Sequence, residues 1–261
     1  MWNLLSTRLH TDPLTDATMK NGIIISKSAF NVSRSLQDYK VQLPQRFSET
    51  LTQLNSEDTW IDAGAGTAKA LFEFFDQQKA GKEAVHSKLI GISAERPDES
   101  LARDDSQDKH DQAVKKLRLH LQNDDPNKVR YMDGRYVEEI PTNEIAFPGS
   151  VTLITDVYGP ISYSIRLDQV LRKYFSLLKP GGDLFLTLDQ DHVLINDPKI
   201  GEPLTLNEFV KRYCTGIGVR SGQNGKWNFY RTEDPLFVPP LVLKNLVSSI
   251  PPHITYDINS P

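Results

Sequence analysis

The middle of the chain alternates short apolar runs with longer segments in which apolar residues recur at helical spacing. The apolar runs predict five buried strands: a run ending at Asp62, Lys88–Ile92, Val129–Met132, Val151–Val157 and Asp183–Leu188. Before the last run, residues Leu167 to Leu178 carry apolar side chains at spacings of three and four, which predicts an amphipathic helix. Strands that alternate with helices predict parallel βαβ units with right-handed crossovers and a ligand at the carboxyl ends of the strands.

The pattern changes after this region. Leu206 to Cys214 predicts a helix. Gly216–Arg220 and Lys226–Arg231 predict two strands joined by SGQNG, a turn rich in Gly and Asn that is typical of a β-hairpin.

The turn after the first strand, in the segment TWIDAGAGTAKA, is the strongest candidate for chemistry. Gly64 and Gly66 allow the backbone to approach a ligand closely, and Asp62 supplies a negative charge for a cationic group. The alternative for Asp62 is a carboxylate that caps the turn. The dinucleotide fingerprint has a third glycine where this chain has Lys69, and Asp62 would repel phosphates. The turn therefore favours a ligand without phosphate.

This turn resembles motif I of the class I S-adenosylmethionine-dependent methyltransferases, with Ala68 in place of the last glycine. The sequence LLKPGG before the fifth strand is a second similarity, and the resemblance covers roughly Leu43 to Asp191. It implies an α/β fold: a Rossmann-like, seven-stranded, mostly parallel sheet with helices on both faces, an antiparallel edge strand from the hairpin, and an N-terminal helical cap. We therefore expect a cap in 1–42, the core in 43–235 and a C-terminal extension in 236–261.

The resemblance also implies S-adenosyl-L-methionine as cofactor. Its amino acid part would lie on the turn, its ribose near the end of the second strand, and its adenine after the third strand. Ser93 stands where an acid normally meets the ribose, and Glu95, two residues later, serves only if the strand is extended or bulged. The implied cofactor residues are Asp62, Ala63, Gly64, Gly66, Ser93, Glu95, Asp133, Gly134, Arg135 and Asp156.

Methyl transfer is an in-line displacement, so alignment of the acceptor and exclusion of water are the main tasks of the protein. Asp156 and Tyr158, after the fourth strand, are expected to border cofactor and acceptor. Asp156 either orients or deprotonates the acceptor, or fixes the following Gly-Pro turn. His192 is the candidate general base, with a solvated turn as the alternative. Three aspartates, Asp156, Asp189 and Asp191, are a possible magnesium set of the kind in catechol-type O-methyltransferases, but the surrounding residues do not resemble the metal motif of that group, and no metal is predicted.

Composition narrows the choice of partner. The chain has 30 Lys and Arg against 34 Asp and Glu, a formal charge of −4, and no basic run longer than Lys115–Lys116, which disfavours nucleic acid. The single cysteine, Cys214, cannot close an internal disulfide. No apolar segment approaches the roughly twenty residues that span a bilayer. These features predict a soluble, cytoplasmic protein.

The sequence therefore predicts a methyltransferase that acts on oxygen or nitrogen of a small molecule or a protein. Two alternatives remain. A methyltransferase-like protein that only binds is suggested by Ala68 and Ser93, both departures from the family pattern. An NAD(P)-dependent oxidoreductase is disfavoured by Lys69 and Asp62. No signature identifies the acceptor or an oligomeric state.

Overall fold

The computed structural model describes residues 33–80, 87–94, 111–188, 192–197, 199–222, 224–247 and 253–259, and the backbone alone of 17–20, 23–26, 107–110 and 223. The strands are β1 Ala17–Lys20, β2 Ile23–Ser26, β3 Thr59–Asp62, β4 Lys88–Ser93, β5 Val129–Asp133, β6 Val151–Val157, β7 Leu178–Thr187, β8 Val193–Asn196, β9 Pro203–Thr205, β10 Ile217–Gln223, β11 Lys226–Arg231, β12 Leu241–Val247 and β13 His253–Ile258. The helices are α1 Leu36–Gln42, α2 Arg46–Gln53, α3 Lys69–Ala80, α4 Gln107–Asn123, α5 Thr142–Ile145, α6 Pro160–Tyr163, α7 Leu167–Leu177 and α8 Leu206–Tyr213.

The main sheet has seven strands in the order β10-β11-β7-β6-β3-β4-β5. Five neighbouring strands of this sheet, β7, β6, β3, β4 and β5, pair in parallel. In contrast, β11 is antiparallel to β7, and β10 is antiparallel to β11. The register puts Asp62 beside Thr155 of β6 and Gly91 of β4. The predicted α/β fold with a mostly parallel sheet and an antiparallel edge is confirmed, and the hairpin is inserted beside the fifth strand of the core.

Local sequence accounts for two features of this sheet. Asn224 and Gly225 have φ angles of 51° and 76°, the left-handed pair that a two-residue hairpin turn requires. The stretch Lys179–Gly182, which separates the predicted helix from the predicted fifth strand, lies instead inside β7. There Gly181 has a φ of 81°, and the pairing with β6 shifts register between Val151 and Leu153. The stretch KPGG thus forms an irregularity within a strand that begins earlier than predicted.

A second sheet, not predicted from the sequence, has the order β12-β13-β8-β9. The predicted C-terminal extension supplies β12 and β13, and β13 pairs in parallel with β8. Ile254 and Tyr256 of β13 are buried in the same hydrophobic cluster as Ile154 of the main sheet and Phe175 of α7. The two sheets therefore share one core.

The range predicted as a cap, 1–42, contains helix α1 and also an antiparallel hairpin of β1 and β2 that the sequence did not indicate. A capping box between Ser35 and Asp38 begins α1. The Leu36 amide donates to Glu73 Oε2 at 2.7 Å and ties α1 to α3. Edge-to-face aromatic contacts among Phe47, Trp60 and Phe185 pack α2 on the sheet. These contacts hold α1 close to the carboxyl end of β3.

Candidate functional site

The turns that follow β3 and β6 touch each other at the carboxyl edge of the main sheet. A Cβ atom on Gly64 would lie 3.0 Å from the Cα of Gly159, and one on Gly159 would lie 2.8 Å from Asp156 Oδ1. A larger residue at Gly64 would press on backbone and one at Gly159 on the Asp156 carboxylate, so these neighbours would have to shift. The structure thus brings together the two turns that the sequence predicted to border the cofactor.

The turn after β3 is fixed by its own backbone and by its neighbours. Gly66 and Ala68 have φ angles of 52° and 54°, so the alanine that replaces the third glycine of the pattern keeps a conformation that glycine favours. The Ala65 amide donates to the Ile92 carbonyl at 3.0 Å, and the Tyr131 hydroxyl donates to the Gly66 carbonyl. Ala63 is buried and its amide donates to the Thr155 carbonyl at 2.8 Å.

Asp62 is 1% exposed at the end of β3. Its Oδ2 accepts from the Tyr39 hydroxyl at 2.7 Å, and its Oδ1 accepts from Thr155 Oγ1 at 3.0 Å. Burial raises the pKa of Asp62 to about 6, although both hydrogen bonds and the charge of Arg34 act in the opposite direction. The carboxylate is therefore ionised at neutral pH and held by side chains rather than by the amides of its own turn.

Asp156 is fully buried near the end of β6. Its Oδ1 accepts from the Gly159 amide at 2.8 Å, and its Oδ2 accepts from the Ile161 amide at 3.0 Å and the Tyr174 hydroxyl at 2.8 Å. Burial raises the pKa of Asp156 to about 6 against the effect of these bonds. Asp156 thus fixes the turn that leads into α6, which was one of the two roles considered from the sequence. Its role as a proton acceptor stays a prediction.

Tyr158 lies beside a cavity of about 370 Å³ at the carboxyl ends of β6 and β7. The cavity is lined by Val41, Gln42, Tyr158, Thr187, Leu188, Asn224 and Lys226. Lys226 Nζ donates to the Val41 carbonyl and Thr187 Oγ1 to the Gln42 carbonyl, both at 2.7 Å, which joins the end of α1 to the sheet. The Arg34 guanidinium lies 5.7 Å from the centre of the Tyr158 ring.

The residues predicted near the ribose and adenine lie at the ends of two neighbouring strands. Ser93 is 8% exposed and pairs with Asp133, which is exposed. Gly134 has a φ of 64°, and the guanidinium of Arg135 forms an ion pair with Glu144. Glu95 lies outside the described residues. The structure therefore brings Ser93, Asp133 and Gly134 to the same edge as the glycine turn.

His192 belongs to the second sheet. It directly precedes β8, its carbonyl accepts from the Ile254 amide at 2.6 Å, and its ring packs edge-on against His253 with 4.3 Å between ring centres. Asp189 and Asp191 lie outside the described residues. Within the described ranges, no group of three or more His, Cys, Asp or Glu side chains converges on a point that a metal ion would occupy.

Sequence reasoning missed two residues that contact the predicted ones. Tyr39 bonds to Asp62, and Arg34 lies close enough to lower the pKa of both Asp62 and Asp156. The Ser35–Asp38 capping box is a local signal for the helix that carries Tyr39. No local signal pairs Tyr39 with a strand end 23 positions away.

Comparisons with known proteins give structural likeness only. No family model and no curated protein sequence matches the chain. A geranyl diphosphate C-methyltransferase from Streptomyces coelicolor, solved with S-adenosyl-L-homocysteine, is 18% identical over 54% of this chain and 43% of its own, with a TM-score of 0.36. This chain thus spans less than half of that protein. An S-adenosylmethionine-dependent O-methyltransferase from Thermotoga maritima is 12% identical over 77% of this chain and 73% of its own, with a TM-score of 0.40.

At these values the likeness supports no conclusion about activity or substrate, and the fold rests on the strand order itself. No helix among the described residues has the length and apolar character needed to cross a membrane. The strand order, the position of the hairpin and the turn after β3 confirm the Rossmann-like, mostly parallel seven-stranded sheet that the sequence predicted.

Proposed function

We propose that the protein is an S-adenosylmethionine-dependent methyltransferase that binds its cofactor at the carboxyl edge of the main sheet. The observation that carries the proposal is the buried carboxyl group of Asp62 at the end of β3, directly before a turn whose backbone follows the glycine pattern. In open α/β sheets, ligands bind at the carboxyl ends of the strands. A negative charge at this place suits a cation, and not the phosphates of a dinucleotide.

The charges around the turn fit the amino acid part of the cofactor. That part carries an ammonium and a carboxylate, so it needs one group of each sign. Asp62 supplies the negative charge and Arg34 the positive one. Because Asp62 is only 1% exposed, we propose that it attracts the ammonium through the turn or through water, while Gly64 and Gly66 provide the backbone surface.

The adenosyl part would extend along the edge towards β4 and β5. Ser93 and Asp133 are paired neighbours there, so either supplies a hydrogen-bonding group for the ribose in place of the acid that the family pattern expects. Glu95 remains a proposed ribose contact. Gly134 and Arg135 are proposed at the adenine.

We propose the cavity beside Tyr158 as the place of the methyl acceptor. The cofactor supplies an already activated methyl group, so the chain has to orient the acceptor and exclude water. Tyr158 and the end of α1 would form the walls, and Asp156 would hold the turn that carries Tyr158. Proton acceptance by Asp156 or His192 stays a proposal, and an oxygen or nitrogen acceptor on a small molecule or a protein remains the predicted class.

Calorimetric titration with S-adenosylhomocysteine tests this proposal. We expect saturable binding to the wild type and at least tenfold weaker binding to Asp62→Asn, because a buried charge is worth roughly 1.4 kcal/mol or more to a bound cation. Asp58→Asn is the matched control, because Asp58 is a buried carboxylate just before the same strand, at its opposite end. Absence of saturable binding at millimolar ligand contradicts the proposal.

A protein that binds the cofactor without transferring its methyl group is the second candidate. It is favoured by Asp156, whose two oxygens already accept from three donors, and by the serine at the ribose position. Incubation with methyl-labelled S-adenosylmethionine and a mixed metabolite and protein extract separates the two. Label in any acceptor supports the transferase, and binding without transfer supports the second candidate.

A further inference from the structure

Asp62 depends on a contact from outside the sheet. Tyr39 lies on α1 and is 1% exposed, and its hydroxyl donates to Asp62 Oδ2 at 2.7 Å. The other oxygen accepts from Thr155, whose hydroxyl in turn accepts from Trp60 Nε1 at 2.9 Å. Thr155 and Trp60 belong to the sheet and would stay in place if α1 moved. Tyr39 is the described donor to Asp62 that such a movement would remove.

We propose that Tyr39 is a positioning residue for the cofactor: its hydroxyl holds the carboxylate of Asp62 in place and thereby couples the docking of α1 to cofactor binding. This inference rests on the proposed function. Without the Tyr39 hydroxyl, the buried Asp62 carboxylate would lose one of its two described donors. Its neutral form would then become more stable relative to the charged form. With Tyr39 in place, docking of α1 strengthens cofactor binding. By linkage, cofactor binding stabilises the docked position of α1 by the same free energy.

The charged surroundings agree with this role. Burial raises the pKa of Asp62, the bonds from Tyr39 and Thr155 lower it, the charge of Arg34 lowers it, and the charge of Asp156 raises it. These groups come from α1, the segment before it, and β6. Since the balance leaves the pKa at about 6, loss of the Tyr39 bond moves it towards neutral pH, where a fraction of Asp62 becomes uncharged.

Tyr39→Phe tests the inference, because it removes the hydroxyl and keeps the ring that packs between Phe47 and Trp60. We expect S-adenosylhomocysteine to bind roughly tenfold more weakly at pH 7, as for loss of a hydrogen bond to a charged group. The midpoint of the pH dependence of affinity should move to higher pH. Thr152→Val is the matched control: it removes a hydroxyl that donates at 2.6 Å to Asp58, a buried carboxylate at the opposite end of β3, and it should leave that midpoint near its wild-type value.

A measurement without ligand separates this inference from the proposed function. In the ligand-free protein, the carboxyl carbon of Asp62, followed by NMR through a pH titration, should titrate at higher pH in Tyr39→Phe than in the wild type. The role of Tyr39 is overturned if Asp62 titrates at the same pH in Tyr39→Phe as in the wild type. It is also overturned if Tyr39→Phe keeps the wild-type affinity and pH midpoint while Asp62→Asn loses binding. If the wild type binds no S-adenosylhomocysteine, the proposed function is overturned. The ligand-free titration still shows whether the Tyr39 hydroxyl holds the Asp62 carboxylate.

Discussion

At the scale of single residues, the buried carboxylates oppose folding at neutral pH. Asp62 and Asp156 both have pKa values of about 6, against an ordinary value of 3.8. The folded state therefore binds more protons than the unfolded chain between about pH 4 and pH 6. The contribution of each group to the free energy of unfolding falls as pH rises through this window, by roughly 3 kcal/mol in total for each. A buried carboxylate that opposes folding in this way calls for a reason, and the proposed cationic ligand would supply one for Asp62.

We predict that Asp62→Asn removes part of this pH dependence. The free energy of unfolding of the variant should rise relative to that of the wild type as pH increases from about 4 to 7, because the wild type alone has to ionise Asp62. Urea denaturation at several pH values measures this difference.

Asp58→Asn is expected to change stability in the opposite sense. Burial raises the pKa of Asp58, but hydrogen bonds from Lys179 and Thr152 outweigh it and lower the pKa overall. The stabilisation by Asp58 is present above its unfolded pKa and is lost as pH falls. A difference of the same sign for both variants would contradict the assigned environments.

The contact between Gly64 and Gly159 gives a second prediction. Gly64→Ala places a Cβ atom 3.0 Å from backbone, so it should reduce the free energy of unfolding by about 1–3 kcal/mol even without ligand. Thermal unfolding of the ligand-free protein measures the loss. Stability equal to that of the wild type would show that the two turns separate easily. Because the substitution acts on stability, a lower ligand affinity in this variant is not by itself proof that Gly64 touches the cofactor.

At the scale of elements, the sequence was informative where structure is local. The five core strands, α7, α8 and the hairpin were predicted because each follows from its own periodicity or turn residues. The glycine turn was predicted for the same reason. The second sheet was not, because β8 and β9 are short strands and β8 pairs on its other side with β13, which lies far along the chain. The contact of Tyr39 with Asp62 escaped prediction likewise, since nothing local to either residue specifies the other.

The hairpin turn offers a prediction at this scale. Gly225→Val forces a β-branched residue into a φ of 76°, which costs about 1–2 kcal/mol, and β11 lies between β7 and β10. We expect a lower free energy of unfolding and faster amide exchange in both β10 and β11.

Gly149→Val is the control for that variant. Gly149 has a φ of 72° but lies outside the hairpin, and a Cβ there would meet no atom within 4 Å. The two variants should lose similar stability, and amide exchange in the hairpin should change only in Gly225→Val. Equal exchange in both would indicate that the turn does not control the pairing.

At the scale of the whole molecule, both sheets depend on one core. Removal of residues 236–261 would take away β12 and β13 and expose β8 and the cluster around Ile154 and Phe175. We predict that the truncated chain loses cooperative unfolding, which circular dichroism and calorimetry detect. A truncated chain that unfolds with the wild-type midpoint would mean that the second sheet is an independent addition.

The position of β13 inside the second sheet, between β12 and β8, also orders events during synthesis. A ribosome makes the chain from its amino end, so Val193–Asn196 emerge well before the segment His253–Ile258 that pairs with them. Until then, the backbone edge of β8 that pairs with β13 has no partner strand. A strand edge left open in this way is able to pair with another chain, so a pause in synthesis at this stage would favour aggregation.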